Sequence, residues 1–266
     1  MKKILISGLL MVGASAVHAQ TICDEEWESI ADKFTQGTDI KAILSMWEKK
    51  KGTCGESSFY YLKLGWLLLE NAKFTEAEAA FNKGLDVDKD NDVALKLALA
   101  DLPFQQSTRA FADINWDLLN KAHVRMQTFI EEYPDLPDGY ASLTGVMLIK
   151  KEFKSVIENG LKAKKLGGNP YAYRNLAIAY YEVAQDKNAT VAASEAIELS
   201  ESLQADAELM LTVALAYSNL KEFKYSLGML RLLVQSNPES QSTPEFQRIT
   251  SHIREQYLLH QEAESY

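Results

Sequence analysis

Carboxylates stand at alternate positions in "DVDKDND", residues 86–92, the spacing at which a calcium loop offers its first oxygen ligands. Such a loop also needs glycine sixth, for its sharp turn, and glutamate twelfth, to hold the ion with both oxygens. Counted from Asp86, those places hold Asn91 and Leu97. The stretch therefore reads as a solvated turn, and no metal site is expected. His123, His252 and His260 stand apart, none in a His-Glu-x-x-His arrangement or beside a cysteine, and read as surface or packing residues. "LGGNP", residues 166–170, lacks the lysine of a phosphate loop, and beyond the leader no serine occupies a Gly-x-Ser-x-Gly elbow. No catalytic residue and no cofactor is expected, and an enzyme here would have to assemble its site from parts that carry no motif.

The remaining reactive groups are Cys23 and Cys54, and their chemistry depends on compartment. The chain opens "MKKILISGLLMVGASAVHAQ": Lys2 and Lys3, an apolar run from Ile4, then Val17-His18-Ala19 as a small-x-small site. Residues 1–19 read as a secretory signal. The run is shorter than the ~20 residues that span a bilayer and holds Gly8, Gly13 and Ser15, which argues against a membrane anchor. Cys23 follows Gln20, Thr21 and Ile22 rather than a small residue, which argues against a lipoprotein. Cleavage would leave 247 of the 266 residues and, with two lysines gone, a formal charge of −11 in place of −9. An acidic chain with no basic tract repels phosphate backbones and anionic lipid, so neither nucleic acid nor a membrane surface is an expected partner, and no integral membrane segment is expected in the mature chain. The expected location is outside the cytoplasm, in the periplasm or released.

Two helices are predicted between the cysteines, residues 24–34 and 39–50, broken by "TQGT". Trp27, Ile30, Ala31 and Phe34 share one face of the first, and Ala42, Ile43, Met46 and Trp47 share one of the second. Folded as a hairpin, the start of one meets the end of the other. A bond between Cys23 and Cys54 would close a loop of about 30 residues and contribute roughly 3 to 4 kcal/mol. Two free structural thiols, or a reactive or metal-binding thiol, are the alternatives.

Residues 169–199, "NPYAYRNLAIAYYEVAQDKNATVAASEAIEL", place small side chains between bulky ones at fixed offsets. Two helices approach closely only where side chains are small, and large ones must fill the remaining gaps, so the alternation is a packing code for a helix hairpin. Counted from Pro170, Tyr173, Leu176, Ala177, Tyr180, Ala189, Ala193 and Ala196 carry it. A start at Ser58 places Tyr61, Leu64, Gly65, Leu68, Ala77, Phe81 and Gly84 at the same offsets. A start at Pro137 places Tyr140, Leu143, Thr144, Met147, Val156, Gly160 and Ala163 there, and one at Ala207 places Met210, Val213, Ala214, Tyr217, Ser226, Leu230 and Leu233. An irregular copy fills 91–136, with Ala94, Leu97 and Ala98 on one helix and Ala122, Met126 and Phe129 on the other. Between them "DLPFQQSTRAFADINW", residues 101–116, reads as an insertion in the inter-helix turn. Recurrence at a fixed period marks a stacked repeat array.

These positions are the signature positions of the tetratricopeptide repeat, which the chain resembles over 58–240. The resemblance implies an all-α fold: a right-handed superhelical solenoid of about five such helix hairpins. An N-terminal helical hairpin, residues 20–57, would close one end. A C-terminal capping helix, within 241–266, would lid the other, with Thr243 and Pro244 at its start and Phe246, Ile249, Ile253 and Tyr257 on its apolar stripe. The resemblance also implies a protein or peptide partner bound in the concave face of the first helices, whose facing positions here are Phe59, Leu62, Trp66 and Leu69 in the first copy and Tyr171, Arg174, Ile178 and Tyr181 in the fourth. The family's carboxylate clamp needs lysine and asparagine where Leu62 and Trp66 stand, so an aromatic, weakly charged groove is expected, with Arg174 able to fix one acidic group; the alternative is that the N-terminal hairpin covers Phe59 and Trp66. The functional expectation is a non-enzymatic interaction scaffold or adaptor of the bacterial cell envelope. A holdase for exported polypeptides is its rival, and a hydrolase with an unrecognised site the remote alternative.

Overall fold

The structure is a computed structural model that describes residues 19–35, 37–87, 93–109 and 113–264. Residues 1–18 of the signal reading and most of the "DVDKDND" turn lie outside the described residues. The chain forms two compact units, Met1–Glu132 and Tyr133–Tyr266, and its described residues form helices and turns but no strand.

In the N-terminal unit, α1 (Ala19–Thr35), α2 (Ile40–Glu48) and the short α3 (Lys51–Cys54) precede α4 (Ser58–Glu70), α5 (Phe74–Val87), α6 (Val93–Arg109) and α7 (Trp116–Glu132). Helices α4 and α5 pair as one hairpin and α6 and α7 as the next. In the C-terminal unit, α8 (Pro137–Ile149) pairs with α9 (Phe153–Lys165), α10 (Pro170–Glu182) with α11 (Asp186–Leu199), and α12 (Ala207–Asn219) with α13 (Phe223–Ser236). The last helix, α14 (Pro244–Glu264), packs on α12 and α13.

The packing code sits where the alternation placed it. Of the signature residues in the four regular copies, all are buried except Leu64, Tyr180 and Tyr217, which are half-buried. Small residues mark the tightest approaches: a Cβ on Gly160 would press into the Leu176 side chain, and one on Gly84 into Leu95 and Tyr61. The larger bodies between them, such as Phe81, Tyr140 and Leu176, are at most 1% exposed, and each contributes roughly 1.5 to 3 kcal/mol by leaving water.

Four hairpin turns among the described residues share one conformation. Ala72, Lys151, Ala184 and Lys221 have φ of 57°, 59°, 58° and 62°, the left-handed conformation that ends many helices. In the first of these turns Lys73 N donates to Leu68 O and Ala72 N to Leu69 O, both at 2.9 Å. The same pair of bonds recurs at the other three: Glu152 to Met147 O, Gln185 to Tyr180 O and Glu222 to Tyr217 O are the longer loops. The carbonyls left open by each first helix are thereby satisfied before the chain reverses.

The irregular copy departs from the sequence expectation. Residues 101–109 were expected in a turn, yet they continue α6 by more than two turns through Pro103. Asp101, Leu102, Pro103 and Ser107 are buried, so the apolar face of α6 runs on past the point where the family pattern stops. Proline at 103 has no N–H for the carbonyl of Leu99, four residues back. Arg125 of α7 supplies the donor instead, Nη1 to Leu99 O at 3.0 Å. The connection to α7 includes residues 110–112, outside the described residues, and Asn115 Oδ1 then caps α7 by accepting from Leu118 N at 3.1 Å.

Cys23 and Cys54 are joined by a disulfide, their Cα atoms 5.6 Å apart. It ties α1 to α3, a helix the sequence reading did not anticipate. Around it Trp47 is fully buried, its ring 5.0 Å from Trp27 and 5.3 Å from Tyr60, and its Nε1 donates to Tyr60 O at 3.0 Å. In the C-terminal unit Phe246, Ile249 and Ile253 of α14 are buried against α12 and α13, with Tyr257 half-buried beside Phe223.

Candidate partner-binding site

The eight residues expected to face a partner divide by burial. Leu62, Leu69 and Ile178 are 7%, 1% and 5% exposed. These three belong to the core and are withdrawn from any binding face. Leu62 and Leu69 lie in one apolar cluster with residues of α1, α2, α5 and α6. α1 and α2 both pack on α4, and Ile30, Ile43 and Trp47 share one apolar cluster with these leucines. Phe59 is half-buried under the same cover, its ring 6.4 Å from that of Trp47. Lys63 Nζ lies 5.2 Å from the Trp27 ring and 5.0 Å from the Phe59 ring. Burial holds the Lys63 ammonium below its ordinary pKa, with Asp24 pulling the other way. Trp66 is half-buried on the other side, its ring 5.8 Å from Phe81 of α5. In this unit the chain's own helices already occupy much of the α4 face.

The α10 residues are arranged differently. Tyr171, Arg174 and Tyr181 are half-buried along one side of the helix. Arg174 Nε donates to Asp206 Oδ2 at 2.9 Å, Nη2 reaches Glu208 Oε2 at 2.5 Å, and Nη1 donates to Asn175 Oδ1 at 3.1 Å. Burial pulls the guanidinium pKa down, and the two carboxylates more than offset it, so the group is held charged. The expected acidic partner of Arg174 thus exists within the chain, on the hairpin that follows. The sequence places Arg174 at a facing position; Asp206 comes from 32 residues further on, and stacking alone brings it there.

Polar contacts one repeat apart run through this unit. Asn175 Nδ2 donates to Thr144 Oγ1 at 3.0 Å, Asn169 Nδ2 to Asp138 Oδ1 at 2.6 Å, and Lys164 Nζ to Glu195 at 2.6 Å. Asp206 Oδ1 also caps α12 by accepting from Leu209 N at 2.9 Å, so one carboxylate both starts a helix and holds the preceding hairpin. Asn175 was legible as a polar residue inside the apolar run "NLAIA"; its partner was not.

Burial raises the hydroxyl pKa of both tyrosines. At Tyr171 the Asp206 carboxylate adds to the rise and Arg174 opposes it. At Tyr181 Asp186 and Glu182 add to it, and Arg248 of α14 opposes them. Among the described residues no three His, Cys, Asp or Glu side chains gather as a metal site, and no described helix is long and apolar enough to cross a membrane.

No protein-family model matches the chain, and no curated protein matches it in sequence. Solved structures do match its fold. The APC/C hetero-tetramer Cut9-Hcn1 aligns at a TM-score of 0.63 and 15% identity, over 80% of this chain and 39% of that one. Yeast Tom70 aligns at 0.61 and 12% identity, over 86% of this chain and 45% of that one. This chain therefore spans less than half the length of either. A thermophilic TPR protein of Thermus thermophilus aligns along its whole length at 0.52 and 14% identity, over 76% of this chain. Helix hairpins with small residues at their crossings, recurring in register and matching these structures, give the chain the tetratricopeptide-repeat fold.

Proposed function

We propose that the protein is an exported, non-enzymatic interaction scaffold of the bacterial cell envelope that takes a partner peptide or helix on the first-helix face of its repeats. The observation that carries this reading is the α10 face, where Tyr171 and Tyr181 stay half-buried and Arg174 is held in place by neighbouring hairpins. Aromatic residues with rigid supports are what interfaces use as anchors. The Cut9-Hcn1 structure, in which a chain of similar fold is part of a hetero-tetramer, supports the general role. The leader-like N-terminus and the Cys23–Cys54 disulfide support an oxidising compartment, since such bonds are rare where thiols are kept reduced.

Burial of Leu62, Leu69 and Ile178 favours the scaffold over the holdase, which needs a broad open apolar surface. Crosslinking and purification from envelope extract test the choice, with wild type compared against Tyr171→Ala and Tyr181→Ala. One stoichiometric partner, lost in both variants while their melting midpoints hold, is the expected result. Many clients, retained by both variants, would establish the holdase. The mature N-terminus read from exported protein should begin at Gln20, and protein retained in the cytoplasm with its leader would end the envelope assignment.

A further inference from the structure

Tyr171, Arg174 and Tyr181 recur along α10 at separations of three and seven and so share one side of the helix. At the Tyr171 end every nitrogen of the Arg174 guanidinium is engaged by the chain itself: Nε by Asp206, Nη1 by Asn175, and Nη2 by both Asp206 and Glu208. Asp206 is fixed further as the cap of α12 and cannot swing aside for an incoming carboxylate. Two carboxylates against one guanidinium leave this end negative. The surplus is accessible, because the Glu208 side chain is 60% exposed while that of Arg174 is 16% exposed. At the Tyr181 end the chain places Glu182 next to the tyrosine and Asp186 five residues on, with Arg248 of α14 as the opposing charge, and Asp186 accepts a hydrogen bond from Asn219 at 3.1 Å.

We propose that the α10 face receives an extended partner segment carrying two basic residues, one over each tyrosine, and rejects acidic segments. This rests on the reading of the face as a partner site and reverses the charge expected from Arg174 alone. A lysine or arginine over a tyrosine ring is attracted by the ring itself, and the surplus carboxylates set the sign of the partner more than the strength of binding. The tyrosines are ten residues apart on the helix, roughly 15 Å at 1.5 Å per residue. An extended chain advances about 3.3 Å per residue, so the two basic residues belong roughly four or five positions apart.

The test titrates the full chain, by fluorescence anisotropy, with short labelled peptides of Gly, Ser and Leu that carry two arginines at that separation or two glutamates in their place. The arginine peptide should bind roughly tenfold tighter or better, with an affinity that falls steeply as salt is raised. In the Glu182→Gln/Glu208→Gln variant its binding should weaken by about fivefold or more, with the melting midpoint unchanged. Equal or tighter binding of the glutamate peptide would overturn the charge assignment while leaving α10 as a peptide face. Binding of neither peptide would overturn both readings. Arginine-peptide binding that ignores the double variant would overturn the placement on α10.

Discussion

Arg125 shows how one side chain repairs what another breaks. Pro103 removes the helix donor for Leu99 O, and Arg125 Nη1 restores it from the neighbouring helix at 3.0 Å. Arg125→Met should cost about 1 to 3 kcal/mol, the usual penalty for an abandoned carbonyl. In a Pro103→Ala background the alanine N–H takes the bond, and the cost should shrink. Denaturant melts of the four proteins measure the coupling; equal costs in both backgrounds would show that Arg125 acts otherwise. Ala193 makes the complementary point about volume. It is 1% exposed in the core shared by α10, α11 and α12, so Ala193→Leu should overpack the crossing and lower stability by about 1 to 3 kcal/mol. A melting midpoint that does not move would contradict the register. Only Ala193 was legible in the sequence, because it stands at a recurring offset of the repeat pattern, whereas Arg125 answers a proline on a different helix.

Among the elements, the N-terminal helices depend on a staple and on one buried phenol. The disulfide joins residues 31 apart, and on the loop-entropy argument its removal by Cys23→Ser/Cys54→Ser should cost roughly 3 to 4 kcal/mol. A denaturation midpoint matching wild type would show that the aromatic core around Trp47 holds α1 to α3 unaided. Tyr60, 1% exposed, has its hydroxyl pKa pushed up to about 12 by burial, with Tyr61 and Glu48 adding to the rise. The unfolded chain gives up that proton near pH 10, the folded chain only near 12, so folding stability contributed by neutral Tyr60 is complete below pH 10 and is lost as pH climbs from there. Tyr60→Phe should flatten the decline in stability between about pH 10 and 12. A decline identical in wild type and variant would remove Tyr60 as its source. The pairing of these elements was foreseen from the two cysteines and the apolar stripes, but α3 was not, since four residues give no periodicity to read.

At the scale of the whole molecule, stability is spread over neighbouring hairpins. In the C-terminal unit α10 packs on α8, α9, α11 and α12, and polar contacts one repeat apart brace it. The end of α14 has much less support: Leu258 and Leu259 are 58% and 54% exposed. Hydrogen exchange should therefore be slowest in α10 and α11 within this unit and fastest beyond Tyr257. Uniform protection across α8 to α14 would mean that the unit opens only as a whole.

The sequence alone determined the helix hairpins, their register and their tight crossings. Those depend on side-chain size at short, fixed separations, and a pattern such as Leu176-Ala177 against Ala189 and Ala193 states it directly. It also located the C-terminal stripe from Phe246 to Ile253. What only the tertiary structure decided is which surfaces remain available and which charges are already answered. α1 and α2 pack on α4, with Trp47 against Phe59, α6 runs on through Pro103 because Leu102 and Ser107 find cover, and Asp206 and Glu208 take up Arg174. Each depends on a neighbour from another hairpin, and the cost of leaving a buried charge or carbonyl unpaired is settled only when that neighbour arrives.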